Sequence, residues 1–194
     1  MPIKDILSLL AIALTIIGFA PYILAIYRGH TRPHMFSWLI WGITTSVVFF
    51  AQLSANGGRG VIAIGISAAI TFYIALLAYR HKADINITNS DWLFLLFALS
   101  SIPAWYLASD PTIAVIILTS VDLLGFGPTL RKAYQHPLDE NLTFFGIFAL
   151  RNALVIAALS HYSIATVLFP FAVGICCIIL IVLVLARRRS ARRQ

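Results

Sequence analysis

Gly18-Phe19-Ala20-Pro21 recurs as Gly125-Phe126-Gly127-Pro128, 107 positions further along the chain. On the same ungapped diagonal Tyr27 meets Tyr134, Ile40 meets Ile147, Ala51 meets Ala158 and Arg80 meets Arg187. Alanine and isoleucine matches are cheap in so apolar a chain. Glycine, phenylalanine, proline, tyrosine and arginine on one diagonal are not, and an internal duplication is the reading they favour.

The environment of that duplication follows from composition. Of 194 residues, 60% are hydrophobic and 11% charged, and the mean hydropathy is +0.92. A water-soluble core has no use for so much apolar surface, so most of this chain's solvent is lipid. Crossing a hydrocarbon layer of about 30 Å takes about 20 helical residues. Seven stretches are long enough: 5–27, 35–54, 60–80, 91–108, 111–133, 143–160 and 163–186. Alternating strand patterns are absent, and lipid admits only helices or closed barrels, so an all-α fold of seven membrane helices is expected. The first segment has the length of a signal anchor but carries the first copy of the repeat, so no cleavage is expected. Cys176 and Cys177 are adjacent within the last segment and imply neither a disulfide framework nor a metal site.

Arg28, Arg32, Arg80, Lys82, Arg131 and Lys132 fall in loops on one side, with Arg187, Arg188, Arg189, Arg192 and Arg193 in the tail. The opposite side has Lys4 and Arg59. The positive-inside rule therefore puts the C-terminus in the cytoplasm and the N-terminus outside, with the plasma (inner) membrane as the expected location. The basic tail reads as a contact to anionic lipid rather than nucleic acid. Four units follow: a first three-helix repeat at 1–82, a linker helix at 83–110, a second repeat at 111–187, and a basic tail at 188–194. An odd linker gives both copies the same orientation, a 3+1+3 parallel repeat of the kind transporters use, with the solute site at the repeat interface. The polar run 83–90 supports the linker; Ser90-Asp91 offers an N-cap to helix 4, and Asp110-Pro111 starts helix 5.

Pro21 and Pro128 in the first helix of each copy, the connection RGHTRPHMFS at 28–37 and the inferred orientation give the chain a resemblance to the PQ-loop and SWEET-like transporters. These are seven-helix proteins of 3+1+3 build, among them SWEET sugar carriers, cystinosin and, by fold, the KDEL receptors. The resemblance implies alternating access between two triplets. Its Pro-Gln pair reads Pro21-Tyr22 and Pro128-Thr129 here, and segments 3 and 7 lack the substrate-facing Asn of SWEET proteins, which argues against a sugar.

A proline within a helix deletes one backbone hydrogen bond and crowds the preceding turn, so Pro21 and Pro128, flanked by Gly18 and Gly125, are read as a matched pair of hinges. Where the copies differ, the second gains charge: Thr15 becomes Asp122, Thr44 becomes Arg151 and Thr45 becomes Asn152. At 1.5 Å per residue both charges fall near mid-membrane, where ionisable groups face the interior and mark function. Their segments are consecutive, so the charged groups of Asp122 and Arg151 are expected to lie within salt-bridge reach or to face one cavity between the triplets. In the functional reading Asp122 carries a coupling proton, a role the resemblance to cystinosin-like members also lends it, Arg151 grips a carboxylate with both arms, and Asn152 adds amide contacts. The alternative is a structural ion pair between neighbouring helices. Thr44, Thr45 and Tyr73 complete the candidate site, Tyr73 being equally readable as packed core.

Trp38 and Trp41 are read as interface anchors, as are Trp92 and Trp105. His30 and His34 have metal spacing, but Pro33 between them disfavours a helix, and they are read as loop residues. No cofactor or metal is expected. Rhodopsin chemistry is excluded, since Lys4, Lys82 and Lys132 all lie at helix ends, and with one acid at depth an enzyme is not expected. The expected partners are a small zwitterionic or anionic solute and the lipid bilayer, without nucleic acid, and oligomeric state stays open. Two alternatives to a carrier remain: a non-transporting receptor or scaffold of the same fold, and a SWEET-type sugar facilitator.

Overall fold

In the computed structural model, residues 3–30, 33, 35–80, 89–135, 137 and 142–191 are described, and 91% of them are helical with no strand. Seven α-helices follow in order among these residues: α1 Ile3–Tyr27, α2 Met35–Ser54, α3 Ile62–Arg80, α4 Asn89–Ala108, α5 Pro111–Gln135, α6 Leu142–Ala158 and α7 Ile164–Ala191. A 3-10 turn, Gly58–Val61, leads into α3. Four spans are long and apolar enough to cross a membrane, Ile3–Tyr27, Met35–Ser54, Gly58–Arg80 and Ile164–Arg189, and three shorter apolar stretches lie in α4, α5 and α6. The faces are inverted relative to a protein in water. Leu9, Ile16, Leu96, Leu107, Phe171 and Val182 are exposed, whereas Thr15, Gln52, Arg151, Asn152 and Thr166 are buried. Such an apolar exterior around a polar interior suits an integral membrane protein.

Two boundaries differ from the sequence reading. α4 already begins at Asn89, so Ser90 lies inside the first turn rather than capping it, and the rest of the 83–90 run lies outside the described residues. α7 continues through Arg187–Arg189, because arginine is a good helix former and α-helix needs no apolar solvent. Asp110 does cap α5: the Thr112 amide donates to its Oδ1 at 2.8 Å, which holds the Asp110 carboxyl below its usual range.

The helices do not pack in chain order. α3 lies against both α1 and α2; α7 lies against both α5 and α6; α1 crosses to α6, α2 crosses to α5, and α4 rests on α5 and α2. Glycine permits the closest approaches. At Gly18 an added Cβ would come within 2.6 Å of the Phe148 ring, so α1 and α6 meet there with no room for a side chain.

At Gly60 an added Cβ would lie 2.8 Å from both the Ala158 carbonyl carbon and the Leu159 nitrogen. These are backbone atoms and cannot swing aside. Gly60→Ala is expected to cost about 1–3 kcal/mol, as overpacking does, and to lower the unfolding temperature in detergent by several degrees. Gly146→Ala, where the new Cβ meets nothing within 4 Å, serves as the control and should not lower it. Equal melting of the two variants would mean that the 3-10 turn does not press on α6 in solution.

Candidate functional site

A cavity of about 770 Å³ lies among six of the helices. Its wall comes from recurring positions on each: Gly18, Pro21, Tyr22 and Ala25 of α1; Trp38, Trp41 and Thr45 of α2; Ser67 and Thr71 of α3; Asp122 and Phe126 of α5; Phe144, Phe148 and Arg151 of α6; Phe169 and Val173 of α7. Spacings of three, four and seven put each set on one helical face. The volume falls in the range of small-molecule sites.

Arg151 is 3% exposed, and four of its five N–H groups are spoken for. Nε donates to Thr15 Oγ1 of α1 at 3.1 Å, Nη1 to Asn152 Oδ1 at 2.8 Å, and Nη2 to both Ala63 O at 2.9 Å and Ser67 Oγ of α3 at 2.7 Å. All four acceptors are neutral. Among the described residues the one ion pair joins Arg59 to Asp5, so Arg151 has no carboxylate within reach. Asp122 lines the same cavity, and its Oδ1 is sealed from solvent without a hydrogen-bond partner among the described residues.

These contacts correct the expected Asp122–Arg151 ion pair. α5 and α6 are consecutive in sequence but not packing neighbours: α5 lies on α4, α7 and α2, and α6 on α1 and α7. Among the described residues the protein leaves one Nη1 N–H of Arg151 unused, so a two-armed grip on a carboxylate would need one of these bonds to give way. What the cavity holds is a cation and a carboxyl group, each without an opposite charge among the described residues.

The remaining candidates divide. Thr45 is on the wall. Asn152 is fully buried behind it, accepting from Arg151 and donating from Nδ2 to Phe148 O at 2.9 Å, so it positions the guanidinium. Thr44 is buried and donates to Trp41 O at 3.0 Å, away from the wall. Tyr73 is not part of the wall; its hydroxyl bonds that of Tyr27. Pro21 and Gly18 line the cavity, and α1 passes through Pro21 unbroken. Pro128 and Gly125 fall within α5, and their surroundings lie outside the described residues. The sequence reading missed the aromatic wall, having made Trp38 and Trp41 lipid anchors. The available signal was the i, i+3, i+7 spacing of Trp38, Trp41 and Thr45, repeated by Phe144, Phe148 and Arg151 at i, i+4, i+7.

One end of the cavity is shut. Lys4 Nζ donates to Leu159 O at 2.6 Å, Arg59 meets Asp5 at 2.5 Å, and Ser8 Oγ donates to Arg59 O at 2.7 Å. The Ser160 amide donates to Gly57 O at 2.9 Å, and Gln52 Nε2 donates to Thr166 O at 3.0 Å. This seal joins the start of α1 and the 3-10 turn to the α6–α7 connection. From a floor at Thr45, Ser67, Asp122 and Arg151 the cavity extends the other way, toward Ala25, Ser37 and Thr143.

No family model, curated protein or solved structure matches the chain.

Proposed function

We propose that this chain is a membrane carrier that moves a small zwitterionic or anionic solute by alternating access, coupled to protons through Asp122. The observation that carries the proposal is the cavity itself, closed at one end and holding near its floor a cation and a carboxyl group that have no opposite charge among the described residues. Isolated charges at depth are costly, and a bound solute of complementary charge would relieve both.

Packing supports a 3+1+3 repeat of the SWEET-like kind. Exchanging α1, α2 and α3 with α5, α6 and α7 carries α1 on α3 into α5 on α7, α2 on α3 into α6 on α7, and α1 on α6 into α5 on α2, and each of these packings is present. α4 alone has no counterpart. At one end, Tyr27 of α1 bonds Tyr73 of α3; its diagonal match Tyr134 of α5 carries Arg187 of α7 4.2 Å above its ring. With the cytoplasmic side assigned by the lysines and arginines, the cavity faces inward and the Asp5–Arg59 seal is the outer gate.

Uptake of candidate solutes into proteoliposomes tests the proposal: a carrier accumulates or exchanges its ligand, whereas a receptor of the same fold binds without moving it. The gate has its own test. Arg59 is exposed but the Asp5 side chain is 12% exposed, so Arg59→Ala should cost about 1 kcal/mol or somewhat more and lower the unfolding temperature by a few degrees while shifting the protein toward states open at that end. In a Ser8→Cys background with Cys176 and Cys177 replaced by serine, Arg59→Ala is expected to raise labelling of position 8 by an impermeant thiol reagent several-fold. Unchanged labelling would remove the gate from the scheme.

A further inference from the structure

We infer that the solute is an aromatic zwitterion of the amino-acid type, its carboxylate toward Arg151, its ammonium toward Asp122 and its ring against the aromatic wall. This rests on the carrier reading and narrows it. The two charges lie near the closed end, and aromatic rings line the space above them: Tyr22, Trp38 and Trp41 from α1 and α2, Phe144 and Phe148 from α6. The rings form one connected set. Trp38 lies 5.0 Å from Tyr22 and 5.2 Å from Trp41 between centroids, and Phe148 lies 4.6 Å from Phe144. Phe19 bridges the two groups, 5.0 Å from Phe148 and 6.4 Å from Trp38.

A ligand matching this layout carries both charges at one end and a flat apolar group at the other. Arg151 offers its remaining N–H and its uncompensated charge, with the Thr45 and Thr71 hydroxyls on the same wall. Asp122 brings a carboxyl group to the same wall, and its Oδ1, closed off from solvent, has no hydrogen-bond partner among the described residues. An aliphatic side chain would gain burial from the wall, but a ring gains edge and face contacts in addition, which amounts to about tenfold in affinity when two such contacts form.

The test uses the purified full chain with four probes: phenylalanine, leucine, phenylacetate and phenethylamine. Binding is read by competition and by ligand-induced stabilisation, and movement by counterflow in proteoliposomes. Phenylalanine is expected to bind about tenfold more tightly than leucine and than either single-charge probe, and to exchange across the bilayer. Trp38→Leu should erase the preference over leucine while keeping leucine binding; Trp41→Leu, at a more exposed position, does the same if the first variant fails to fold. Leucine binding as tightly as phenylalanine, or a preference that survives both variants, overturns the aromatic assignment and leaves the carrier reading intact. Phenylacetate or phenethylamine matching phenylalanine overturns the zwitterion assignment, as does absence of phenylalanine binding. Tight phenylalanine binding without counterflow keeps the ligand class and overturns the carrier.

Discussion

Arg151→Leu is expected to abolish measurable solute binding, a loss of at least about a hundredfold, with little change in stability. The two effects separate because Arg151 plays opposed parts in the fold. Three of its four hydrogen bonds tie α6 to α1 and α3 and the fourth holds Asn152 of α6 itself, and bonds to a charged group contribute about 1.5–3 kcal/mol each. Burying the guanidinium with no counter-charge costs several kcal/mol. An apolar side chain of similar size forfeits the first and recovers the second. Part of what it leaves is provided for: Thr15 Oγ1 still donates to Ala11 O and Asn152 Nδ2 to Phe148 O, while Asn152 Oδ1 and Ser67 Oγ each lose the bond from the guanidinium. The solute has no such compensation, since the charge it would meet is gone. Arg151→Lys keeps the charge but concentrates three donors on one atom, so it cannot reach acceptors on three helices, and an affinity loss of about tenfold is expected. Both are read by titration on purified protein alongside thermal unfolding. Wild-type affinity in Arg151→Leu would make the residue a bolt between helices and nothing more.

Much of the helical layout was legible because membrane solvent leaves few choices: a run of about 20 apolar residues must be a helix. That Asp122 and Arg151 belong to one cavity was legible from depth alone, since a charge at mid-membrane has nowhere else to face. Their direct pairing was not, because it assumed that consecutive helices touch. The chain instead lays α7 between α5 and α6, and sequence order carries no signal for that. The aromatic wall was missed for a related reason. Trp38 and Trp41 sit near a helix end, where an anchor and a cavity wall have the same composition, and only the packing of α1, α2 and α6 around them decides which they are. Tyr73 erred the other way: its polar tip turned out to serve Tyr27.

Asp122→Asn is expected to abolish proton-driven accumulation while counterflow persists at saturating solute. Its diagonal counterpart shows what the position requires structurally. Thr15 is fully buried, donates to Ala11 O within its own helix and accepts from Arg151, so a neutral hydroxyl satisfies that position of α1. At the matching position on the sequence diagonal α5 carries a carboxyl group whose Oδ1 has no described partner. A group held in that way has little to lose when it takes up a proton and much to gain from an incoming cation. In a carrier cycle it can be emptied of its proton on one side and of its solute on the other, which links the two movements. Asparagine keeps the shape and fixes the site neutral, so the link breaks while the path stays open. The solute's ammonium group would also lose an ionic partner, and the concentration needed for half-maximal exchange should rise. The measurement is uptake into proteoliposomes with and without an imposed pH gradient, beside counterflow at equal pH on both sides. Accumulation that survives the substitution would place proton coupling elsewhere, and loss of counterflow at saturation would mean that Asp122 holds the path together rather than driving it.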